Sequence, residues 1–397
     1  MVIKERVIMA KAILVKNKEK RVEYGHPWIF RSDIESIAGD YTPGDIVNVF
    51  SAKNRFLGRG YYNPASQISI RMLTRNDEKI DRDFIYRRIK AAWDYRKMVA
   101  DPESCRVVFA ESDFLPALIV DKFSDILVVQ TLSLGIERFK DEIVGILKDL
   151  IKPRGIYERN DVSVRELEGM KQQKGFLSEP FETKVEMVEN GVRFLVDIEN
   201  GQKTGYFLDQ KENRAALKPF VKDGRVLDCF SHTGSFALHA AFYGAKEVLG
   251  VDISDHAVSC ATENSRLNSL EGIASFQEAN VFDFLRTISD QNERYDTVIL
   301  DPPAFTKSKS AVEGAIRGYK EINLRAMKII REGGFLITCS CSQHVDNGLF
   351  MDIIYNAAQD TGKTLRMVEF RTQAKDHPIL LASAETQYIK CVILQVF

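Results

Sequence analysis

The sequence lacks a long apolar run and has few cysteines. No segment approaches the roughly 20 apolar residues that cross a bilayer, and residues 1–11 lack the continuous apolar core of a secretory signal. The six cysteines show no C-x-x-C spacing, and several lie inside apolar runs, which predicts buried or reactive thiols rather than disulfides. These absences exclude membrane-spanning and disulfide-stapled secreted classes. We expect a soluble protein of the reducing cytoplasm.

The chain also lacks a strong net charge, because 55 Lys and Arg nearly balance 56 Asp and Glu. The balance is uneven: residues 1–75 hold 13 basic and 7 acidic side chains, whereas the remainder holds 42 and 49. A local positive field suits a polyanion such as RNA, and we expect neither DNA nor a membrane as partner. A solubilising surface on a small β domain explains the same charges equally well.

The length of 397 residues indicates two or three domains. Six short β-rich segments with turn signals between residues 11 and 75 predict a small β-barrel. A charged linker over 76–83 marks a boundary, and mixed helix and strand patterns over 84–159 predict a small α+β domain. The polar stretch 161–180 is expected to be mobile. We therefore divide the chain into domains 1–75, 76–182 and 183–397.

One stretch organises the C-terminal domain. Residues 226–238 predict a buried strand that ends in Asp228, a tight turn with Gly234 and the opening of a helix. About twenty residues further on, a second strand ends in Asp252, at the position where a doubly wound sheet holds a ribose. We expect the two carboxylates to lie side by side.

The turn has too few glycines for a dinucleotide. A pyrophosphate requires the three glycines of G-x-G-x-x-G, because it approaches the backbone and the helix N-terminus closely. This turn has only Gly234. A nucleoside without phosphates, such as S-adenosylmethionine, needs one close backbone approach and a carboxylate near its cationic end, which Gly234 and Asp228 supply. An ordinary strand-turn-helix without a ligand is the alternative.

Strands alternating with helices after residue 225 predict a parallel sheet. Its fourth strand, Thr297 to Asp301, ends in a carboxylate that is followed by Pro302, Pro303 and, after one further residue, Phe305. The prolines stiffen the loop and turn the Asp301 and Pro302 carbonyl groups toward the cleft, where they can accept from the exocyclic amine of a base, and Phe305 can stack on that base. A plain Asp-Pro turn is the alternative.

The fifth strand ends near two thiols, Cys339 and Cys341. Carbon 5 of cytosine is unreactive until a thiolate adds to carbon 6, and a cysteine at the mouth of the site supplies that nucleophile. Cys341 lies beyond the strand, whereas Cys339 lies within it and is expected to pack. Two alternatives stay open: both thiols are small buried hydrophobes, or they join His344 in a zinc site.

Seven stretches carry a resemblance to a known family. They are His26-Pro27-Trp28, Gly201 to Gln210, Leu227 to Phe230, Asp301 to Phe305, Arg317 to Asn323, Ser340-Cys341-Ser342 and Asp376-His377-Pro378. Over nearly its full length the chain resembles the PUA-domain family of class I S-adenosylmethionine-dependent ribosomal RNA large-subunit cytosine-C5 methyltransferases. The resemblance implies an α/β fold, in which a seven-stranded Rossmann-like methyltransferase domain follows a PUA barrel and a small α+β domain.

The resemblance also implies site residues. It implies Cys341 and Asp301 as catalytic residues, Pro302, Pro303 and Phe305 as contacts to the substrate base, and no metal. The glycine-flanked loop 201–210 is expected to act as a lid, although it could be a plain connector. The cofactor contacts that we expect are Asp228, Phe230, Ser231, Thr233, Gly234, Asp252, Asn280, Asp301, Gln202, Lys203, Thr204, Phe207 and Asp209. Asn280 stands where the family often has an acidic residue, which weakens the adenine contact expected there, and Ser235 replaces a frequent second glycine.

These observations predict transfer of the methyl group of S-adenosylmethionine to carbon 5 of a cytosine in large-subunit ribosomal RNA. An enzyme that methylates a purine is the first alternative, and its thiols would be idle. The second is an inactive RNA-binding factor in ribosome assembly. A homodimer is compatible with the sequence.

Overall fold

The computed structural model of the protein describes residues 9–291, 293–306 and 308–397. The chain forms two compact units. The first comprises Met1–Val185, Val196–Leu208 and Lys375–Thr386, and the second comprises Glu186–Leu195, Asp209–Ala374 and Gln387–Phe397. Two segments from later in the sequence therefore return to the first unit. The three domain limits drawn from the sequence stay predictions.

A six-stranded sheet in the first unit is built from the N-terminal residues. Its elements are β1 (Lys11–Leu14), α1 (Glu19–Glu23), β2 (Trp28–Ile29), β3 (Ile34–Ala38), β4 (Ile46–Phe50), β5 (Phe56–Tyr62) and β6 (Ile70–Thr74). The strand order is β2-β6-β5-β4-β1-β3, with β1 and β4 parallel and the other neighbours antiparallel. A Cβ on Gly60 would collide with the Arg71 carbonyl of β6, which explains a glycine inside β5.

A five-stranded sheet with the order β11-β10-β9-β8-β7 lies in the same unit. Its elements are α2 (Arg82–Val99), β7 (Ser104–Phe109), β8 (Leu118–Phe123), β9 (Ile126–Thr131), α3 (Leu134–Glu137), α4 (Lys140–Ile151), β10 (Gly155–Asn160), α5 (Val164–Leu167) and β11 (Gln173–Phe176). Helix α2 begins after Asp81, whose side chain caps the Phe84 amide, and it buries Phe84, Ile85 and Ile89 in the core of this region.

The expectation that residues 161–180 are mobile is wrong. They contain α5 and β11, and β11 pairs antiparallel with β10. Arg165 is buried and donates to the Thr131 carbonyl oxygen and to Glu137, 2.8 Å away. Two of its charged side chains, Arg165 and Glu168, are buried in ion pairs with Glu137 and Arg71, which composition alone does not distinguish from the side chains of a solvated loop.

A two-stranded hairpin, β12 (Lys184–Glu189) and β13 (Val192–Asp197), precedes the large sheet. Asn190 and Gly191 between the strands have φ angles of 51° and 89°. An Asn-Gly pair between two strand-like runs predicts a tight hairpin turn, and positive φ at both positions confirms that prediction.

The second unit is organised around a seven-stranded sheet. Its strands are β14 (Arg225–Cys229), β15 (Glu247–Asp252), β16 (Ala274–Glu278), β17 (Tyr295–Leu300), β18 (Ile330–Ser340), β19 (Leu365–Arg371) and β20 (Lys390–Val396). The order is β16-β15-β14-β17-β18-β20-β19, and β20 runs antiparallel to both of its neighbours while the other pairs are parallel. The predicted α/β class is confirmed.

Helices cover this sheet. They are α6 (Lys211–Ala215), α7 (Lys218–Val221), α8 (Ser235–Phe242), α9 (Asp255–Leu267), α10 (Val281–Asp290), α11 (Val312–Ile329) and α12 (Asn347–Thr361). The sequence alone predicts one helix from Lys211 to Phe220, and that prediction is wrong, because α6 and α7 are separate. Pro219 lacks the N–H that would continue the helix and stands in the first turn of α7, where no such donor is needed.

Candidate functional site

The carboxyl ends of β14 and β17 lie beside each other in the second unit. The chain order reverses at this point, since β15 lies on one side of β14 and β17 on the other. Such a switch point leaves a crevice beyond the strand ends, and open α/β sheets bind ligands there. The loops that leave β14, β15, β17 and β18 therefore form the candidate site.

Asp228 is a nearly fully buried carboxyl group in β14. Its Oδ2 accepts from the Ser231 hydroxyl at 2.8 Å and from the Ala237 amide at 2.9 Å, whereas its Oδ1 has no hydrogen-bond partner. Burial raises the pKa of Asp228 to about 7, and the Asp301 and Asp252 carboxylates raise it as well. Two donors therefore fix Oδ2 of the carboxyl group, whereas no donor among the described residues reaches Oδ1.

The turn after β14 has a strained backbone. Phe230 and His232 have φ angles of 65° and 49°, which non-glycine residues seldom adopt, and Gly234 has a φ of 81°. A Cβ on Gly234 would lie 2.9 Å from the Phe276 ring, so only glycine fits. The Thr233 hydroxyl oxygen of this turn is buried without a partner.

Asp252 ends β15 and faces the same turn. Its Oδ2 accepts from the His232 amide at 2.9 Å, and its Oδ1 accepts from the Ser254 amide at 3.0 Å. Asp228 and Asp252 lie on neighbouring strands and accept from consecutive residues of the same turn, Ser231 and His232, so their predicted proximity is confirmed. Asn280 caps α10 by accepting from the Phe282 amide at 3.0 Å.

Asp301 follows β17. Its Oδ1 accepts from the Gln210 amide at 2.9 Å, and its own backbone N–H donates to the Cys229 carbonyl at 3.4 Å. Pro302 is buried and Pro303 is exposed. The predicted base-contacting segment thus begins with a carboxylate held by a neighbouring amide.

The two thiols near the end of β18 differ in their surroundings. Cys341 lies one residue beyond the strand, is partly exposed, and has its Sγ 3.8 Å from the Pro302 carbonyl oxygen. Cys339 is buried opposite Cys391 on β20. A hydrogen bond with Cys391, together with burial, raises the pKa of Cys339 well above its usual range. Cys341 is therefore the partly exposed thiol just beyond the carboxyl end of β18, as the sequence indicates.

Phe305 packs among aromatic side chains. Its ring centroid lies 4.6 Å from that of Tyr319, 5.8 Å from that of Phe282 and 6.3 Å from that of Phe230. The Tyr319 hydroxyl lies 2.9 Å from the Ser342 hydroxyl and accepts from the Ser340 hydroxyl at 3.0 Å. Phe305 thus packs against three aromatic rings of the protein, and its stacking on a base stays a prediction.

The expected lid residues divide between the two units. Gln202, Lys203, Thr204 and Phe207 belong to the first unit, in which the Lys203 ammonium lies 4.5 Å from the Phe207 ring centroid and the buried Thr204 hydroxyl donates to Asp121 at 2.6 Å. Asp209 belongs to the second unit and accepts from the Tyr388 hydroxyl at 2.6 Å. Their contact with a cofactor stays a prediction.

Gln210 and Lys390 were missed by the sequence analysis as site residues. Gln210 is the last residue of the loop 201–210, so its position in a motif was visible, whereas its contact with Asp301 was not. Lys390 lies on β20, and its Nζ contacts the carbonyl groups of Ser342 and Val345 just after Cys341. No sequence signal marks a lysine within an apolar strand as part of a site 49 residues upstream.

Two other kinds of feature are absent from the described residues. Among them, no group of three or more His, Cys, Asp or Glu side chains is arranged to hold a metal ion. Across the same ranges, no helix combines the length and apolar character needed to cross a membrane.

The site fits a ligand that carries donors. Asp228 Oδ1 is a buried acceptor without a partner, which a cationic amine would satisfy, and the Thr233 hydroxyl lacks a partner beside it. Gly234 keeps the turn beside these groups tight, because its positive φ and its close approach to Phe276 admit no side chain. These features match a nucleoside cofactor with an ammonium group and no phosphates.

Two known sequence families match parts of this chain. A family model described as PUA-like domain matches residues 12–75, and one described as S-adenosylmethionine-dependent methyltransferase matches residues 171–387. A solved structure of a candidate SAM-dependent methyltransferase from Streptococcus mutans is 19% identical, covers 98% of this chain and 100% of that chain, and has a TM-score of 0.82. A second, solved in complex with SAH, is 19% identical over 98% and 100% of the two chains, with a TM-score of 0.84. At this identity they establish a shared fold.

Full-length relatives are more similar. A protein from Aeromonas salmonicida named ribosomal RNA large subunit methyltransferase I is 41% identical over 388 residues, which cover 96% of this chain and 98% of that relative. A protein of the same name from Photobacterium profundum is 43% identical over 384 residues, or 95% and 97% of the two chains. With such identity over almost the whole length, the chain belongs to the family of S-adenosylmethionine-dependent methyltransferases with an N-terminal PUA-like domain that these relatives represent.

Proposed function

We propose that this protein methylates carbon 5 of a cytosine in large-subunit ribosomal RNA through a covalent adduct with Cys341. The names of the full-length relatives support large-subunit ribosomal RNA as the substrate. One observation carries the choice of carbon 5. The partly exposed Cys341 thiol lies at the carboxyl end of β18, 3.8 Å from the carbonyl oxygen of the Asp301-Pro302 segment.

The cofactor supplies a methyl group on a positively charged sulfur. In our proposal Asp228 accepts from the ammonium group of its amino-acid part, because Oδ1 is the buried acceptor without a partner. Asp252 binds the ribose hydroxyl groups from the end of β15, as the second strand does in other doubly wound sheets. Phe230, Ser231, Thr233 and Gly234 form the turn against which the nucleoside lies. Asn280 stands at the end of the next strand and is assigned to the adenine.

The chemistry requires a nucleophile and acceptors for the base. The Cys341 thiolate forms a bond to carbon 6, and the displaced electron pair makes carbon 5 nucleophilic enough to take the methyl group. A base then removes the proton from carbon 5, and the electron pair of that C–H bond expels the thiolate. The Asp301 carboxylate and the Pro302 carbonyl accept from the exocyclic amine and hold the cytosine in register, after it has left its stack.

The test compares two cysteines two residues apart. Cys341→Ala should abolish methylation of ribosomal RNA, whereas Cys339→Ala should keep activity and cost about 1–2 kcal/mol of stability, because it removes only a buried thiol. RNA that carries 5-fluorocytosine at the target should trap an adduct that survives denaturing electrophoresis, since fluorine replaces the departing proton.

An active Cys341→Ala protein would refute the thiolate mechanism and favour purine methylation, for which both thiols are dispensable. Mass mapping of the modified nucleosides would identify the base in that case. A protein that binds RNA and cofactor but transfers no methyl group would favour the assembly-factor alternative.

A further inference from the structure

Lys390 is an unusual residue for the interior of a sheet. It begins β20, is 4% exposed, and pairs directly with Ser340 on β18, the residue before Cys341. Opposed residues on antiparallel strands project from the same face, so the Lys390 side chain runs alongside the end of β18. Its Nζ donates to the Ser342 carbonyl at 2.8 Å and to the Val345 carbonyl at 2.7 Å. The ammonium group therefore holds both ends of the loop that begins after Cys341.

The charge of this ammonium group is not neutralised by a carboxylate at ion-pair distance. In the part of the chain that the structure describes, no Asp or Glu oxygen lies within 4.0 Å of Lys390 Nζ. The Asp346 carboxylate caps α12 by accepting from the Leu349 amide at 2.9 Å. An ammonium group buried this way is costly unless a negative charge acts on it.

Two groups act on Lys390 through a negative charge, and Cys341 in its thiolate form acts more strongly than Asp346. Burial lowers the pKa of Lys390 to about 8, and the charges of Cys341 and, to a smaller extent, Asp346 oppose that lowering. Interaction free energies between two sites are reciprocal, so whatever the thiolate contributes to the ammonium, the ammonium contributes to the thiolate.

We propose that Lys390 is a positioning residue that stabilises the thiolate form of Cys341 and fixes the loop on which the thiol stands. This inference rests on the proposed function for its catalytic meaning, because only a nucleophilic cysteine needs the thiolate. An apolar residue at this position of β20 would bring no charge, whereas Lys390 places a cation beside the nucleophile.

Other titratable groups face the same thiol. Tyr319 on α11 lies near Cys341, and burial raises the pKa of its hydroxyl, which stays neutral near pH 7. Asp301 is next to Pro302, whose carbonyl oxygen lies 3.8 Å from Cys341 Sγ, and Asp346 follows the loop that begins after Cys341, so a negative charge on either carboxylate would oppose one on the thiol. Lys390 opposes them, and it does so only while it is protonated. Stabilisation of the thiolate should therefore fade as the pH rises through about 8.

The experiment measures alkylation of Cys341 by iodoacetamide in the full-length protein, without RNA or cofactor, by mass spectrometry of the Cys341 peptide from about pH 6 to about pH 9.5. Lys390→Met should lower the Cys341 rate at pH 7 by about tenfold, the equivalent of about one pKa unit. The two proteins should converge above about pH 9. Lys390→Arg should match the wild-type rate at pH 7 and should keep the stabilisation above about pH 8, because its guanidinium group stays protonated there. Lys390→Gln, which can still donate to one carbonyl group but has no charge, should behave like Lys390→Met.

Cys260 provides the internal control, because it is partly exposed on α9 and should react equally in every variant. Alkylation of Lys390→Met and Lys390→Gln at the wild-type rate would overturn the inference, and so would a slow Lys390→Arg protein. A wild-type rate in Lys390→Gln alone would show that the residue is only an anchor for the loop. Should Lys390→Met fail to fold, the glutamine and arginine variants still decide between charge and anchoring.

Failure of the inference is separable from failure of the proposed function. If Lys390→Met leaves alkylation unchanged while Cys341→Ala abolishes methylation, the nucleophile stands and Lys390 has no part in its charge. If Cys341→Ala is active while Lys390→Met slows alkylation, the ion pair exists without catalytic use.

Discussion

Replacing Asp228 by asparagine should make the second unit more stable in the absence of cofactor, and more so at higher pH. The pKa of Asp228 is about 7 in the fold against an ordinary 3.8, because burial disfavours its charge. Between these values the native chain keeps a proton that the unfolded chain has lost. A raised native pKa means that the stability contribution is complete below about pH 3.8 and is lost as the pH rises through about 7.

The magnitude follows from the same two values. Between pH 3.8 and about pH 7, each pH unit lowers the free energy of unfolding of the wild-type protein by about 1.4 kcal/mol. That free energy therefore falls by about 3 kcal/mol between pH 5 and pH 7. Asparagine does not titrate, and its amide resembles the protonated carboxyl in shape and in having one side without a partner. The stability advantage of Asp228→Asn should therefore grow by about 3 kcal/mol from pH 5 to pH 8.

The assay is urea unfolding at both pH values, with hydrogen exchange of the β14 and β17 amides as the local report on this unit. Asp252→Asn is the matched control. The Asp252 carboxylate accepts from two backbone amides, so the variant should lose stability at both pH values. If the stability difference between Asp228→Asn and the wild-type protein were equal at pH 5 and pH 8, Asp228 would not be a buried carboxyl group with a raised pKa. The same variant should lose the stabilisation that S-adenosylmethionine gives the wild-type protein.

Two further predictions concern the ligands. Asp252→Ala should weaken cofactor binding and leave RNA binding unchanged, because a ribose contact touches only the cofactor; equal losses in calorimetry and filter binding would contradict it. Replacing the exposed Lys16, Lys20 and Lys53 by alanine should lower the slope of log affinity against log salt by up to about 0.7–0.9 for each phosphate that is no longer neutralised. An unchanged slope would place the RNA on another surface. Point substitutions suit this test better than removal of residues 1–75, whose strands share buried hydrogen bonds with later parts of the first unit.

Local patterns predicted the elements of the sheet and the residues at its edge. Buried apolar runs that end in a carboxylate located β14, β15 and β17, and Asn190-Gly191 located a hairpin turn. Asp228, Gly234 and Asp252 could be selected because each lies in or next to a strand, and a parallel sheet brings the carboxyl ends of its strands together. The break between α6 and α7 was predictable from Pro219 and was overlooked.

Contacts between distant segments could not be predicted this way. Lys390 reaches the loop after Cys341 only because β20 inserts antiparallel between β18 and β19. The residue pattern of β20 alone does not indicate which strand lies beside it. The membership of residues 196–208 and 375–386 in the first unit is equally non-local. The polar stretch 161–180 was misjudged because buried ion pairs and solvated loops have the same composition.

Three costly features lie at the same carboxyl edge of the seven-stranded sheet: the unpartnered Asp228 oxygen, the positive φ angles of Phe230 and His232, and the buried Lys390 ammonium. Each costs on the order of 1–4 kcal/mol, and folding alone would favour an amide, a glycine-rich turn and an apolar residue at these positions. Elsewhere in the sheet, strands and caps follow local rules. Such costs are expected at a site where binding and catalysis compensate them: in our proposals a cationic ligand group compensates Asp228, a nucleoside compensates the turn, and the Cys341 thiolate compensates Lys390. The stability gained by Asp228→Asn and the weaker cofactor binding that accompanies it should therefore appear in the same protein.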